Sequence, residues 1–199
     1  MELHATGLSC ERGGRTVVRD VAFTLRAGEL LQLTGPNGSG KSSLLRLIAG
    51  LNSAASGKLS LAGGSEGLSI AQQAHLIAHQ EAVKGALSVR ENLDFWRDFL
   101  GGGDVAVALE AFGLTRLADY AAGLLSAGQK RRLALARLVL TPRPLWLLDE
   151  PTVGLDSASL VRFVDVMDHH LASGGMIIAA THVPLGREAD HRLELAGAS

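Results

Sequence analysis

Apolar and polar positions alternate over residues 2–9 and again over 17–25, the two-residue period of half-exposed antiparallel strands. Ala27-Gly28-Glu29 is a turn leading into Leu30-Leu31-Gln32-Leu33, a short apolar run that reads as a buried strand. Residues 44–49 read as a helix and 57–61 as a short strand, followed by the glycine-rich, flexible segment 62–67. A further strand-like run spans 74–79. From Ser88 the pattern turns helical. Ser88-Val-Arg-Glu91 is a capping box that opens a helix running to Leu100, Gly101-Gly-Gly103 stops it, and 105–112 is another helix. A helical run at 130–140 then gives way to strands at 145–148, 176–180 and 192–195, with a helix at 157–172. Alternating β and α units predict an α/β fold with a mostly parallel core sheet. The antiparallel strands are N-terminal, and a small helical subdomain, about 84–123, is inserted into a single domain spanning 1–199.

Chemistry enters between the first buried strand and the helix after it. Gly35-Pro-Asn-Gly-Ser-Gly-Lys-Ser42 fits the phosphate-loop pattern G-x-x-x-x-G-K-[ST] in full, in the strand–loop–helix context that the motif requires. Glycines let backbone N–H groups turn inward around phosphate oxygens, and the helix N-terminus adds its positive end. Lys41 is placed to reach the terminal phosphates and the Ser42 hydroxyl to bind Mg²⁺. Gly35, Pro36, Asn37, Gly38, Ser39, Gly40, Lys41, Ser42 and the following Ser43 form the expected nucleotide-binding set. Downstream, the apolar strand Pro144-Leu-Trp-Leu-Leu148 ends in Asp149-Glu150. An acidic pair at the carboxyl end of a buried strand is where a Mg²⁺ ligand, Asp149, and a water-activating base, Glu150, belong.

Leu125-Ser-Ala-Gly-Gln129 opens the helical run at 130–140, with Ser126 placed as N-cap and Gly128 allowing close backbone approach. Here the chain resembles the ATP-binding cassette (ABC) ATPases, P-loop NTPases whose signature reads LSGGQ; Ala127 replaces the middle glycine with another small residue. The remaining elements of that family follow in order. Gln80 matches the Q-loop glutamine, Pro151-Thr-Val-Gly-Leu-Asp156 the loop that meets a partner subunit, and His182 the switch histidine at the γ-phosphate. The resemblance covers nearly the whole chain. It implies MgATP hydrolysis with Glu150, His182 and Gln80 as catalytic residues, and Ser42, Gln80 and Asp149 around the metal. It also implies a dimer, expected to be a homodimer or a paired subunit, in which Ser126 and Gly128 of one copy complete the site of the other, with Gln129 and Asp156 as further nucleotide-binding residues.

Composition narrows the class. Hydrophobic residues make up 47% of the 199 and charged residues 20%, as in an ordinary soluble α/β domain. Net charge is −1 and no dense Lys/Arg run appears, so nothing favours a nucleic-acid partner. A lone cysteine, Cys10, excludes an internal disulfide and reads as a small core residue. No apolar stretch approaches the ~18 residues that span a bilayer. The chain is therefore expected to be cytosolic and to borrow any membrane from a partner; the resemblance implies the cytoplasmic face of a bacterial inner membrane, held there by membrane subunits.

Within the ABC family the chain is most similar to the ATP-binding subunits of bacterial cytochrome c maturation (haem exporter) complexes. The residues behind this are Cys10-Glu-Arg12, His79-Gln80, Val83-Lys84, Ser88-Val-Arg-Glu-Asn-Leu93, Pro144-Leu-Trp146 and Gly174-Gly-Met176. The implied partners are the transmembrane subunits of such a complex. The energising subunit of another small-substrate transporter, and a soluble ATP-switch regulator, remain as alternatives. Most cassettes stack an aromatic residue on adenine near position 12; Arg12 occupies that place, and a guanidinium can stack on a base. His169-His170 reads as a solvated helix end. Phe95, Trp96 and Phe99 read as core, with part of the cluster available to a membrane partner by the resemblance.

Overall fold

The computed structural model describes residues 1–196. Strands β1 (Glu2–Arg12) and β2 (Arg15–Arg26) form an antiparallel hairpin. Gly13 and Gly14, at φ 57° and 74°, close it with Arg12 paired to Arg15. Two consecutive positive φ angles give the turn whose twist matches the flanking strands, and glycine adopts them without steric cost. The strands therefore reach three and two residues further into the 10–16 segment than the alternation of apolar positions indicates, and Arg12 is carried to the hairpin tip. Strand β4 (Ser56–Ala62) adds to the other edge of β1, giving a three-stranded sheet in the order β2-β1-β4.

The second sheet contains β3 (Leu30–Thr34), β5 (Ala74–Ile77), β6 (Leu145–Asp149), β7 (Met176–Ala180) and β8 (His191–Glu194). Its order is β5-β6-β7-β3-β8, with every neighbouring pair parallel. Every residue of β6 and β7 is buried, because both faces are covered. Successive side chains go to opposite layers. Leu145, Leu147, Met176 and Ile178 pack with α1 (Lys41–Ile48) and the antiparallel sheet. Trp146, Leu148, Ile177 and Ala179 pack with the helical side. Cys10 lies in the first of these layers, 1% exposed.

Helices α2 (Val89–Leu100) and α3 (Val105–Ala111) lie between β5 and α4 (Ala127–Ala136). Ser88 caps α2 with the reciprocal Ser88–Glu91 bonds expected of a capping box. The segment bearing α2 and α3 is tied at its base, where Ala122 N–H donates to Leu87 and Gly123 N–H to Gly85, both at 2.8 Å. Helix α5 (Ser157–Ala172) buries Phe163, Met167 and Leu171 against the sheet.

Two placements differ from expectation. Phe95 and Phe99 are 44% and 70% exposed, leaving only the half-buried Trp96 to join the core. The i, i+4 pair stacks its rings at a centroid distance of 6.3 Å on the outer face of α2. His170 is not solvated. Its ring stacks on Trp146 at 3.7 Å with a 7° interplanar angle, while His169 faces solvent as expected. Adjacent helical positions point about 100° apart, so one histidine of the pair faces the sheet and the other leaves it.

Candidate nucleotide site

The carboxyl ends of β3 and β6, the N-terminus of α1 and the tip of the β1–β2 hairpin enclose a cavity of about 530 Å³. Asn37, Gly38, Gly40, Lys41, Ser42 and Ser43 line one wall. Gly40, at φ 97°, is the N-cap of α1, and a Cβ there would run into the Val17 carbonyl. Only glycine fits both the left-handed backbone and that approach. The Lys41 ammonium donates to the carbonyls of Gly35 at 2.7 Å and Pro36 at 3.0 Å, so the loop curls around its own lysine. The Ser39 hydroxyl is buried without a partner at the base of the loop.

Asp149 and Glu150 form the facing wall. Asp149 ends β6 and is 5% exposed. The chain turns sharply after it, because Glu150 takes φ 49°, a left-handed conformation uncommon outside glycine, Asn and Asp. Its N–H bonds to the Ala180 carbonyl at 2.8 Å, which ties the turn to the end of β7. The carboxylate is then held from two sides. The Thr181 hydroxyl donates to Oε2 at 3.0 Å, and Nδ1 of His182 lies 2.8 Å from Oε1. His182 lines the same cavity.

The oxygen donors suit a hard cation bound together with phosphates. No group of three or more His, Cys, Asp or Glu side chains gathers into a metal cage among the described residues. Ser42 and Asp149 both line the cavity, from opposite walls. Mg²⁺ typically takes one or two protein oxygens and completes its shell with water and substrate phosphates.

The other expected site residues divide into two groups. Arg12 lines the cavity from the hairpin tip. Gln80 is exposed and absent from the cavity wall, where the preceding residue, His79, stands instead. Ser126, Gly128, Gln129 and Asp156 lie outside the cavity of their own chain. Ser126 and Gln129 cap α4 reciprocally, with Ser126 N–H donating to Gln129 Oε1 at 2.8 Å and Gln129 N–H to Ser126 Oγ at 3.2 Å. A Cβ on Gly128 would lie 2.7 Å from the Gly154 carbonyl, so a bare backbone lets α4 abut the loop after β6. Ala127 is exposed, so its methyl group meets no such obstacle. Asp156 caps α5, accepting the Ser159 N–H at 2.7 Å. Hydrogen bonds from the Ser159 side chain and backbone hold its carboxyl below the usual carboxylate range.

Thr181 as a clamp on Glu150, His79 on the wall and Arg131 behind it were not singled out from sequence. Arg131 was discoverable: with Ala134, Leu135 and Leu138 it occupies i, i+3, i+4 and i+7 of a stripe that is buried throughout.

A phosphate loop and a clamped acidic pair facing each other across one cavity, at the carboxyl ends of a parallel sheet, define a P-loop nucleotide-binding ATPase domain. The family model described as ABC transporter matches residues 18–153, and the chain belongs to that family. Among curated proteins it is 51% identical to the cytochrome c biogenesis ATP-binding export protein CcmA of Nitrobacter winogradskyi, over 100% of both chains. It is 55% identical to the protein of the same name from Mesorhizobium japonicum, over 99% of this chain and 100% of that one. The fold matches a putative ABC transporter ATP-binding protein from Pyrococcus furiosus with a TM-score of 0.84 at 24% identity, covering 98% of each chain. It also matches an ATP-binding cassette described as a dimer in a post-hydrolysis state bound to ADP and Pi. That match has a TM-score of 0.84 at 22% identity and covers 97% of this chain and 94% of the other.

Proposed function

We propose that this chain is the ATP-hydrolysing subunit of a membrane ABC complex that serves cytochrome c biogenesis, with haem as the exported cargo. The observation that carries the ATPase reading is the Glu150 carboxylate, fixed by Thr181 and His182 across the cavity from Lys41 and Ser42. The biogenesis role rests on the names of relatives at 51% and 55% identity over essentially full length.

In this reading the loop N–H groups and the Lys41 ammonium bind the β- and γ-phosphates, with Lys41 exchanging its carbonyl partners for phosphate oxygens. Ser42 and Asp149 would hold Mg²⁺, which would supply positive charge beside the phosphates. Glu150 orients a water molecule for in-line attack and takes its proton, while His182 meets the γ-phosphate. Arg12 offers its guanidinium plane to adenine from the hairpin tip. Gln80, on the loop after β5, would be a further oxygen donor to the Mg²⁺ ion.

A second copy supplies Ser126 and Gly128, whose N–H groups at the start of α4 would stabilise phosphate charge from across the interface. Their position outside their own cavity supports this arrangement. No helix among the described residues is long and apolar enough to cross a membrane. Attachment to the cytoplasmic face of the inner membrane then comes from partner subunits. A groove bearing Leu51, Trp96 and Phe99 beside β5 suits an apolar helix of such a subunit.

Co-purification tests the assignment. Tagged protein should bring down the membrane subunits of the cytochrome c maturation system from detergent-solubilised membranes, and Phe99→Asp should abolish capture while leaving the thermal midpoint within about 2 °C, as for an exposed position. Capture of an unrelated permease would replace the biogenesis reading, and undiminished capture by Phe99→Asp would remove the groove from the interface.

A further inference from the structure

Arg131 is buried to 3% exposure in the middle of α4, and its guanidinium donates to four backbone carbonyls. Nε reaches Pro151 at 3.1 Å, Nη1 reaches Ala78 at 3.1 Å, and Nη2 reaches Asp149 at 2.8 Å and Glu150 at 2.7 Å. Those carbonyls belong to two separate segments. Three are consecutive and bracket Glu150; the fourth lies two residues before Gln80. The arginine itself stands on the helix capped by Ser126. One rigid planar fork thus joins the segments that bear Glu150, Gln80 and Ser126.

The placement is costly unless it serves something. Burial disfavours the guanidinium charge, and the nearby carboxylates of Glu81, Asp149 and Glu150 counter that effect. Glu150 needs such a support. At φ 49° its backbone sits in a sparsely populated region that persists only where the surroundings over-determine it. Fixing the carbonyls of 149, 150 and 151 together does this, and only a guanidinium has enough donors in one plane.

We propose that Arg131 is a positioning residue for hydrolysis: it holds the Glu150 turn in the attitude that aims the carboxylate at water, and it ties that attitude to the loop carrying Gln80 and to the signature helix. This rests on the reading of Glu150 as the catalytic base. Movement of the Ala78–Glu81 segment is then felt at Glu150 through two bonds of the same guanidinium.

The test compares Arg131→Lys, Arg131→Gln and Glu150→Gln, each alone, and Arg131→Lys in the Glu150→Gln background, using the purified full chain. Lysine keeps charge and stem with fewer directed donors, so this variant is the conservative one. The expected result is a kcat loss of about tenfold for Lys and on the order of a hundredfold for Gln, the scale of a misaimed catalytic group. ATP affinity, measured with a fluorescent analogue, stays within about threefold, because Arg131 does not line the cavity. In the Glu150→Gln background, Arg131→Lys should lower residual turnover no further, since a residue acting through Glu150 is not additive with its loss. Should the Gln variant fail to fold, the Lys variant and the double variant decide. A folded Arg131→Lys protein with wild-type kcat, or full additivity in the double variant, overturns the proposal. Wild-type turnover in Glu150→Gln alone would instead overturn the reading of Glu150, a distinguishable failure.

Discussion

Nδ1 of His182 lies 2.8 Å from Oε1 of Glu150, joining the ends of β7 and β6 across 32 residues of chain. With Thr181 on the other oxygen, the carboxylate is held at both oxygens by the chain's own side chains. Pre-orientation matters because proton abstraction requires the base within hydrogen-bond reach of the attacking water.

Glu150→Gln keeps the shape and the bond to Thr181 but cannot take a proton. Turnover should fall by about 10²–10⁴-fold, while MgATP still binds. Bound ATP should then hold two copies together, visible as a dimer in size-exclusion chromatography with ATP. Wild-type phosphate release from the variant, with only monomer in ATP, would contradict this.

Acid should destabilise the fold through the buried His75 and the half-buried His170. His75 on β5 contacts the Thr141 carbonyl through Nε2 at 2.7 Å, and burial, with Arg143, Arg137 and His170 nearby, lowers its pKa from 6.5 to about 4. Burial, with His169 nearby, also brings His170 down to about 4. Both are neutral when folded and take up protons on unfolding between pH 6.5 and about 4. Over that window the unfolded state binds more protons, so stability falls as pH falls, and it levels off below about 4. For His75 the shift corresponds to at most about 3 kcal/mol. Thermal midpoints from pH 7.5 to 4.5 should decline, and His75→Gln, which keeps a donor for Thr141, should decline less steeply. Parallel curves for the two proteins would contradict the assignment.

Much of this was legible in the chain. The phosphate loop, the acidic pair after an apolar strand, the capping box at Ser88 and the N-cap at Ser126 are local patterns, and each predicts a local geometry. The strands at 176–180 and the helix at 157–172 fall where periodicity places them. What sequence could not give depends on contacts between distant segments. The outward turn of Phe95 and Phe99 depends on which face of α2 the core takes. The His170–Trp146 stack depends on where α5 ends relative to β6. The left-handed turn at Glu150 and its support by Arg131 require four carbonyls from two segments to meet one side chain, and no spacing records that. Gln80 and His79 are adjacent, so which of them faces the cavity is decided by the path of the loop rather than by a pattern.

The most direct test of the central claim, that each nucleotide site is completed by a second copy, is complementation between dead subunits. Lys41→Ala removes a charge-assisted phosphate contact, and Ser126→Arg blocks the start of α4, so each variant alone should be inactive. Mixed under exchange conditions, a heterodimer pairs one intact phosphate loop with one intact signature segment. ATPase activity should return to roughly one working site per heterodimer, on the order of a hundredfold above either parent given the 2–4 kcal/mol that an oriented donor supplies. A mixture no more active than its parents, with heterodimers demonstrated and a single working site known to suffice for turnover, would contradict the shared-site account.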